Sequence, residues 1–257
     1  MTENACIIGY GVVGKSTAKA FGIEKYYDLN GSNLTLEEAS KCRYIFISLP
    51  TPTENGLVVT KDIYEIIRQL NSYPRYTDSI FIVRSTVYPG FARFVQESFG
   101  IDNVVSNPEF LSEDTLKEDT INPQTIVIGA DNRKYSDAVK ALYEGRFKYK
   151  DIVVTDSITA ELIKYTLNVF FATKVIFANQ IFDYAQKVNA NYETIKNVLE
   201  KHPWGSKNHF KIWYKGKRGL HGHCIPKDTE AFKTMTNSDL FRVILELNER
   251  IKYDRPE

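Results

Sequence analysis

Ala5-Cys6-Ile7-Ile8-Gly9-Tyr10-Gly11-Val12-Val13-Gly14 is a short apolar run ending in G-x-G-x-x-G. Lys15 to Phe21 follow with helical composition, so the segment predicts a strand, a glycine turn and a helix. Glu24-Lys25-Tyr26-Tyr27-Asp28 then predicts a second strand that ends in an acid about 20 residues after the first glycine, the dinucleotide spacing. In such a turn Gly9, Gly11 and Gly14 let the backbone approach a pyrophosphate seated on the helix N-terminus. Asp28 would bond a ribose hydroxyl and repel a 2′-phosphate, which predicts NAD rather than NADP.

The alternation continues. Apolar runs at Tyr44 to Leu49, Ser79 to Val83, Asn103 to Val105 and Thr125 to Ile128 are separated by helix-compatible segments near 62–71, 90–99 and 134–145. Continuous apolar runs of this length suit strands buried on both faces. The chain is therefore expected to be α/β, with an N-terminal Rossmann-type, doubly wound parallel sheet over residues 1–155. Ligands of such sheets lie beyond the carboxyl ends of the strands. That singles out Thr51-Pro52-Thr53, Arg84-Ser85-Thr86 and Asn107-Pro108-Glu109-Phe110-Leu111.

Residues 156–257 are expected to form an all-helical dimerisation domain. Asp156 to Lys187 lack proline and glycine, and apolar residues recur there at three- and four-residue spacing, which predicts one long helix. Lys164 and Asn168 lie one turn apart on it, where an ammonium and an amide can meet one oxyanion, or where both simply face solvent. Further helices are expected at Tyr192 to Lys201, stopped by Pro203, and near Asp239 to Lys252.

Composition narrows the function classes. The 257 residues are 43% hydrophobic and 25% charged, as in ordinary globular chains, and the formal net charge of +1 supplies no field for nucleic acid. Asn168 to Ile181, the longest apolar tract, is interrupted by Lys174 and falls short of the roughly 20 residues that span a bilayer. Neither a nucleic-acid nor a membrane partner is expected. Cys6, Cys42 and Cys224 form an odd set without metal spacing, and Met1-Thr2-Glu3-Asn4 carries no secretion signal, which predicts a reducing cytoplasm.

Cys224 stands in Gly219-Leu220-His221-Gly222-His223-Cys224-Ile225-Pro226-Lys227-Asp228. Imidazole, lysine and backbone N–H groups nearby stabilise a thiolate, so a nucleophilic thiol is one reading and a small buried residue the other. No metal is expected: a zinc site from His221, His223, Cys224 and distant His209 would need a spacing that structural zinc sites do not use.

Taken together, these motifs resemble the UDP-glucose/GDP-mannose dehydrogenase family from Ala5 to about Lys252. They are the glycine fingerprint, Leu49-Pro50-Thr51-Pro52, Ser85-Thr86-Val87-Tyr88-Pro89-Gly90, Asn107 to Leu111, Ala160 to Tyr165 with Asn168, and Cys224 to Asp228. The resemblance implies oxidation of a nucleotide sugar's C6 alcohol to a carboxylate, with two NAD molecules and a cysteine-bound thioester. It implies Cys224 as nucleophile, Lys164 and Asn168 as oxyanion donors, Asp228 and Thr86 as positioners of the hydrolytic water, and Glu109 as an assisting carboxylate. Gly9, Gly11, Val13, Gly14, Asp28, Thr51, Thr86, Glu113 and Lys227 would line the cofactor. Phe110, Leu111, Lys164, Asn168, Trp213, Lys215 and Gly219 would meet the sugar nucleotide, a homodimer being expected. Lys207, Lys211, Lys215, Lys217 and Arg218 form a basic stretch that suits either a diphosphate or a solvated loop.

Trp213-Tyr214-Lys215 resembles the segment in which UDP-glucose dehydrogenases carry an aromatic and a lysine that contact the uridine, a resemblance that implies UDP-glucose. The Gly-His-Cys order at 222–224, with His221 one residue earlier, instead resembles the branch that oxidises UDP-N-acetylhexosamines. Leu247-Asn248-Glu249-Arg250 resembles the family's helix just before a further nucleotide-binding domain, expected here to be missing. Three alternatives follow: the remaining surface holds the sugar donor, a separate polypeptide covers it, or the protein is a non-catalytic NAD-binding module. A two-electron β-hydroxyacid-type dehydrogenase is the remaining alternative, since it uses a helix lysine and asparagine without the cysteine.

Overall fold

The computed structural model describes residues 4–74, 79–112, 114–148, 150–205 and 207–253. Its elements are β1 (Ala5–Ile8), α1 (Val12–Phe21), β2 (Tyr26–Tyr27), α2 (Leu36–Ser40), β3 (Tyr44–Ile47), β4 (Thr53–Glu54), β5 (Leu57–Val58) and α3 (Lys61–Ser72). Then come β6 (Ile80–Val83), α4 (Phe91–Phe99), β7 (Val104–Ser106), α5 (Leu116–Ile121), β8 (Ile126–Gly129), α6 (Arg133–Arg146) and β9 (Ile152–Thr155). Four helices follow: α7 (Ser157–Lys187), α8 (Tyr192–Lys201), α9 (Cys224–Thr236) and α10 (Asp239–Tyr253). The chain divides into two compact units, Met1–Pro52 with Val59–Lys164, and Thr53–Val58 with Tyr165–Glu257.

The first unit is a seven-stranded sheet in the order β2-β1-β3-β6-β7-β8-β9. Side chains alternate across its faces. Ala5, Ile7, Phe46, Ile80, Ile82 and Val105 pack with α1 and α6 through Ala18, Phe21, Val139 and Leu142. Cys6, Ile8, Ile45, Ile47, Phe81, Val83 and Val104 pack on the other side with α2, α3 and α4 through Ala39, Ile63, Ile67, Phe91 and Val95. Two covered faces explain why the strands read as unbroken apolar runs. The order reverses direction about β1 and β3, which opens the ligand crevice of such sheets beyond their carboxyl ends.

One pairing departs from the expected all-parallel sheet. β8 runs antiparallel to β7, joined at Ser106 and Gly129, while β8 and β9 are parallel to each other. A run buried on both faces looks the same in either direction, so the reversal leaves no mark on the apolar pattern. Gly129 allows the close packing where α7 begins, since a Cβ there would collide with Ala160.

The second unit is built on α7 from Tyr165 onward. Ala172 and Ile176 pack with Leu220, Ile244 and Ile251, while Ala178 and Ala185 pack with Tyr192, Phe210 and Ile212. Residues 53–58, from earlier in the chain, join these helices. β4 and β5 form a hairpin whose turn residues, Asn55 and Gly56, take φ values of 51° and 76°, as a type I′ turn requires. The hairpin sits on α9: Thr53 Oγ1 donates to the Lys227 carbonyl at 3.0 Å, and a Cβ on Gly56 would strike Thr234. Strands of two residues are too short to show a period.

Asn248 of α10 is 1% exposed, and its side-chain oxygen accepts the Leu220 N–H at 2.6 Å. Asn248→Ala orphans that buried donor and is expected to lower stability by about 1–3 kcal/mol, read as a lower urea midpoint at unchanged slope.

Candidate active site

The glycine turn after β1 has no room for side chains where the backbone must be approached. Gly9 has φ 88°, and a Cβ on it would lie 2.6 Å from the Ser48 carbonyl oxygen. A Cβ on Gly14 would collide with the Gly9 carbonyl, so α1 can pass this close to β1 only with glycine there. Gly11 is the N-cap of α1 and has open space before it, and Val13 is half-buried in the first helical turn. Asp28 follows β2 and accepts the Tyr10 N–H at 2.7 Å on Oδ2 and the Asn30 N–H at 2.9 Å on Oδ1. Those two N–H groups hold its carboxyl below the usual carboxylate range. Each carboxylate oxygen keeps a lone pair for a hydroxyl partner. Cradle, helix start and anionic acid together fit a dinucleotide that ends in a free ribose diol.

Other residues of the first unit gather beyond β3, β6 and β7. Thr51 is buried and Thr86 half-buried. Arg84 donates from Nη1 to Asn107 Oδ1 and to the Tyr143 hydroxyl, both at 2.6 Å, and Tyr143 also donates to Asn107 Oδ1. Asn107 donates in turn to the Val127 carbonyl at 2.7 Å, so the start of the 107–111 loop is held on several sides. Glu109 comes next. Its carboxylate takes the Lys164 ammonium at 3.1 Å and the Leu111 N–H at 2.7 Å, and Lys164 also donates to the Glu109 carbonyl at 2.7 Å. Burial works to raise the Glu109 carboxyl, but Lys164, the Leu111 N–H and Arg84 outweigh it and keep it below the ordinary range. The half-buried Phe110 ring lies 5.5 Å from Lys164 Nζ. Glu113 lies outside the described residues.

Glu161 is a functional candidate that the sequence does not single out. It is 3% exposed and lies one turn before Lys164 on α7. Its carboxylate accepts the Gly90 N–H at 2.6 Å, the Ala92 N–H at 3.0 Å and the Ser106 hydroxyl at 2.7 Å. Burial pushes it up to about 7, against those three hydrogen bonds.

In the second unit the segment from Cys224 onward is a helix. Cys224 is the first residue of α9 and is exposed, which sets aside the alternative of a buried packing residue. Asp228, four residues on, falls on the same helix face and is fully buried. It accepts the Asn168 amide at 2.6 Å and the Lys227 ammonium at 2.5 Å. Lys164 and Asn168 are 4% and 6% exposed, so neither belongs to a solvated helix face.

Trp213 is about half-exposed, and Lys215 lies in a tight turn closed by the Tyr214–Lys217 bridge. Gly219 has φ 81°, and a Cβ there would lie 2.6 Å from Asn248 Oδ1. Arg218 does not share the open side of the basic stretch: it pairs with Asp183 at 2.5 Å and bonds Asn179 at 3.1 Å. His221 stacks on Tyr214 at 6.1 Å, and His209 stacks on Phe171 at 4.2 Å. Among the described residues no three His, Cys, Asp or Glu side chains cluster as a metal ion would need.

A doubly wound sheet with a phosphate-ready glycine turn, a helix starting at that turn and an acid just after the second strand defines a dinucleotide-binding class of protein. The family can be named. Residues 22–146 match the NAD-binding domain of the UDP-glucose/GDP-mannose dehydrogenase family, and residues 158–250 match its central domain. The chain belongs to that family, and NAD is the cofactor of its first domain.

A UDP-glucose 6-dehydrogenase of Rickettsia bellii is 33% identical over 86% of this chain and 51% of its own length. One from Campylobacter jejuni is 30% identical over 91% of this chain and 61% of its own. A UDP-glucose dehydrogenase structure from Pyrobaculum islandicum superposes with a TM-score of 0.83 at 25% identity, covering 96% of this chain and 68% of that one. The chain spans about half the length of the curated relatives it matches. Among the described residues no helix is long and apolar enough to cross a membrane.

Glu161 makes a prediction about pH. Its carboxyl is more easily protonated folded, at about 7, than unfolded near 4.5, so its contribution is complete below 4.5 and is lost as pH rises to 7. A non-titrating Glu161→Gln variant should therefore gain stability relative to the parent across that window, by up to about 3 kcal/mol, in paired denaturation curves at several pH values.

Proposed function

We propose that the chain carries out the NAD-dependent oxidation of a nucleotide sugar at C6, with UDP-glucose as substrate and UDP-glucuronate as product. The single observation behind this reading is Cys224, exposed at the start of α9 one turn before a buried Asp228 that is bonded to Asn168. Bound NAD supplies the hydride acceptor for each of two successive oxidations. Everything else falls to the chain's own groups.

In the first oxidation the C6 hydroxyl loses its proton and a hydride and becomes an aldehyde. Lys164 and Asn168 stabilise the oxygen as negative charge develops on it, because preorganised donors in a water-poor site act strongly on such charge. The Cys224 thiolate then adds to the aldehyde carbon and, as the oxygen takes up a proton, gives a thiohemiacetal, and loss of that hydroxyl proton and a second hydride turns this into a thioester. Backbone N–H groups at the start of a helix favour negative charge, which suits a sulfur at that position. Water attacks the thioester carbon, the C–S bond breaks, and the products are a carboxylate, a proton and the regenerated thiol. Asp228 and Thr86 position that water, and Glu109 assists as a nearby carboxylate.

Gly9, Gly11, Val13, Gly14, Asp28, Thr51, Glu113 and Lys227 serve the cofactor. Phe110, Leu111, Trp213, Lys215 and Gly219 serve the sugar nucleotide. The UDP-glucose assignment is supported by the names of the curated relatives and by Trp213 and Lys215. We place the chain in the cytoplasm, where its three free cysteines stay reduced.

We also propose a homodimer formed through α7. Phe170, Phe177 and Tyr184 recur at seven-residue spacing on α7 and are each about half-exposed or more, with Val188, 52% exposed, just beyond the helix end. A symmetric pair of such helices would bury both sets of rings.

Incubation with UDP-glucose and excess NAD should give two NADH per sugar consumed. One NADH per sugar would instead favour a two-electron dehydrogenase, and none would favour a binding module. Cys224→Ala is expected to lose more than about 10³-fold in kcat. Asp28→Ala should weaken NAD binding roughly 10- to 100-fold by calorimetry, with the cysteine chemistry unaffected at saturating NAD.

The dimer has its own check. Phe177→Glu should shift the mass measured by light scattering from dimer to monomer, and a persisting dimer would place the interface elsewhere.

A further inference from the structure

Three segments of the first unit deliver groups to the proposed chemistry: the 84–90 loop with Thr86, the loop after β7 with Glu109, and the first turns of α7 with Lys164. One side chain joins all three. Glu161, on α7, accepts from Gly90 and Ala92 at the start of α4, which closes the Thr86 loop, and from Ser106, the last residue of β7. Glu109 stands three residues beyond Ser106, and Lys164 three residues beyond Glu161. We infer that Glu161 is a positioning residue, whose buried carboxylate holds the Thr86 loop, the Glu109 loop and the Lys164 turn in register.

The arrangement is costly unless it serves position. A buried carboxylate carries a desolvation penalty, and an apolar side chain would pack α7 against the sheet without it. Gly90 is left-handed, at φ 98°, and α4 has no side-chain cap from its own N-cap residue. Glu161 supplies the missing acceptor from a distant segment, so the start of α4 and the start of α7 cannot shift independently. The contact that matters lies one turn along, where Lys164 must meet both the carbonyl and the carboxylate of Glu109. Loosening β7 from α7 at Ser106 would let that pair drift, and small misplacements of a charged donor are expensive in catalysis.

The inference rests on the proposed dehydrogenase reading for its kinetic consequence but not for its structural one. Two variants separate its parts: Glu161→Gln removes one of the two carboxylate acceptors, and Ser106→Ala removes only the tie to β7. The primary readout is the Lys164 ammonium signal in a proton–nitrogen NMR spectrum, which persists only while the group is buried and bonded. It should be sharp in the parent and lost in Glu161→Gln, while NAD affinity stays within twofold because Asp28 and the glycine turn lie elsewhere. Ser106→Ala should weaken the same signal without exposing the Gly90 and Ala92 amides to exchange. Retention of the ammonium signal in a folded Glu161→Gln protein overturns the inference.

Turnover provides the second arm: kcat should fall at least tenfold in Glu161→Gln with the KM for NAD unchanged, and an unchanged kcat also overturns it. If the parent itself forms no NADH, the dehydrogenase reading fails, and the ammonium signal alone decides the positioning role.

Discussion

Each of the two units holds charged groups out of water. Glu109, Lys164, Glu161 and Asp228 are each less than a tenth exposed, and each would be intolerable there alone. Each is met instead by a specific set of partners. Lys164 has the carbonyl and the carboxylate of Glu109, Asp228 has Asn168 and Lys227, and Glu161 has two backbone amides and a hydroxyl. Because a half-satisfied buried charge is worse than none, these sets restrict where the surrounding backbone can go. The first turns of α7 are the clearest case, since Glu161 and Lys164 lie one turn apart and are both anchored.

Features set by local chemistry were legible in the sequence, and partnerships between distant segments were not. The glycine turn, Asp28 and the apolar strands are local statements: a φ of 88° at Gly9, an acid at a strand end, a run with no polar face. The long helix likewise shows its period, and Pro203 marks where α8 must end. Glu161 looks like any acid in a helix, because nothing nearby in sequence records that Gly90, Ala92 and Ser106 converge on it. Arg218 looks like part of a basic loop until Asp183 and Asn179, more than 30 residues away, are seen to hold it.

Three local signals were present without being decisive. Cys224 to Asp228 reads as a loop because it contains Pro226 and follows two glycines, yet proline is tolerated in the first turn of a helix, where its missing N–H costs nothing. Asn55-Gly56 is a strong hairpin dipeptide, but its flanking strands are only two residues each. Thr35 and Glu38 form a reciprocal capping box that accounts for a helix as short as α2. In each case the end of an element is more informative than its interior.

The three cysteines show how environment rather than residue type assigns chemistry. Cys6 and Cys42 sit buried under α2, with sulfurs directed at the carbonyls of Ala39 and Glu38. The hydrogen bond with Cys42, together with burial, pushes the Cys6 thiol well up, which makes it a packing group. Cys224 has the opposite setting, exposed at a helix start that favours negative charge and on the same face as an acid held by Asn168. The proposed attack on an aldehyde carbon needs an accessible thiol, and of the three cysteines only Cys224 is exposed.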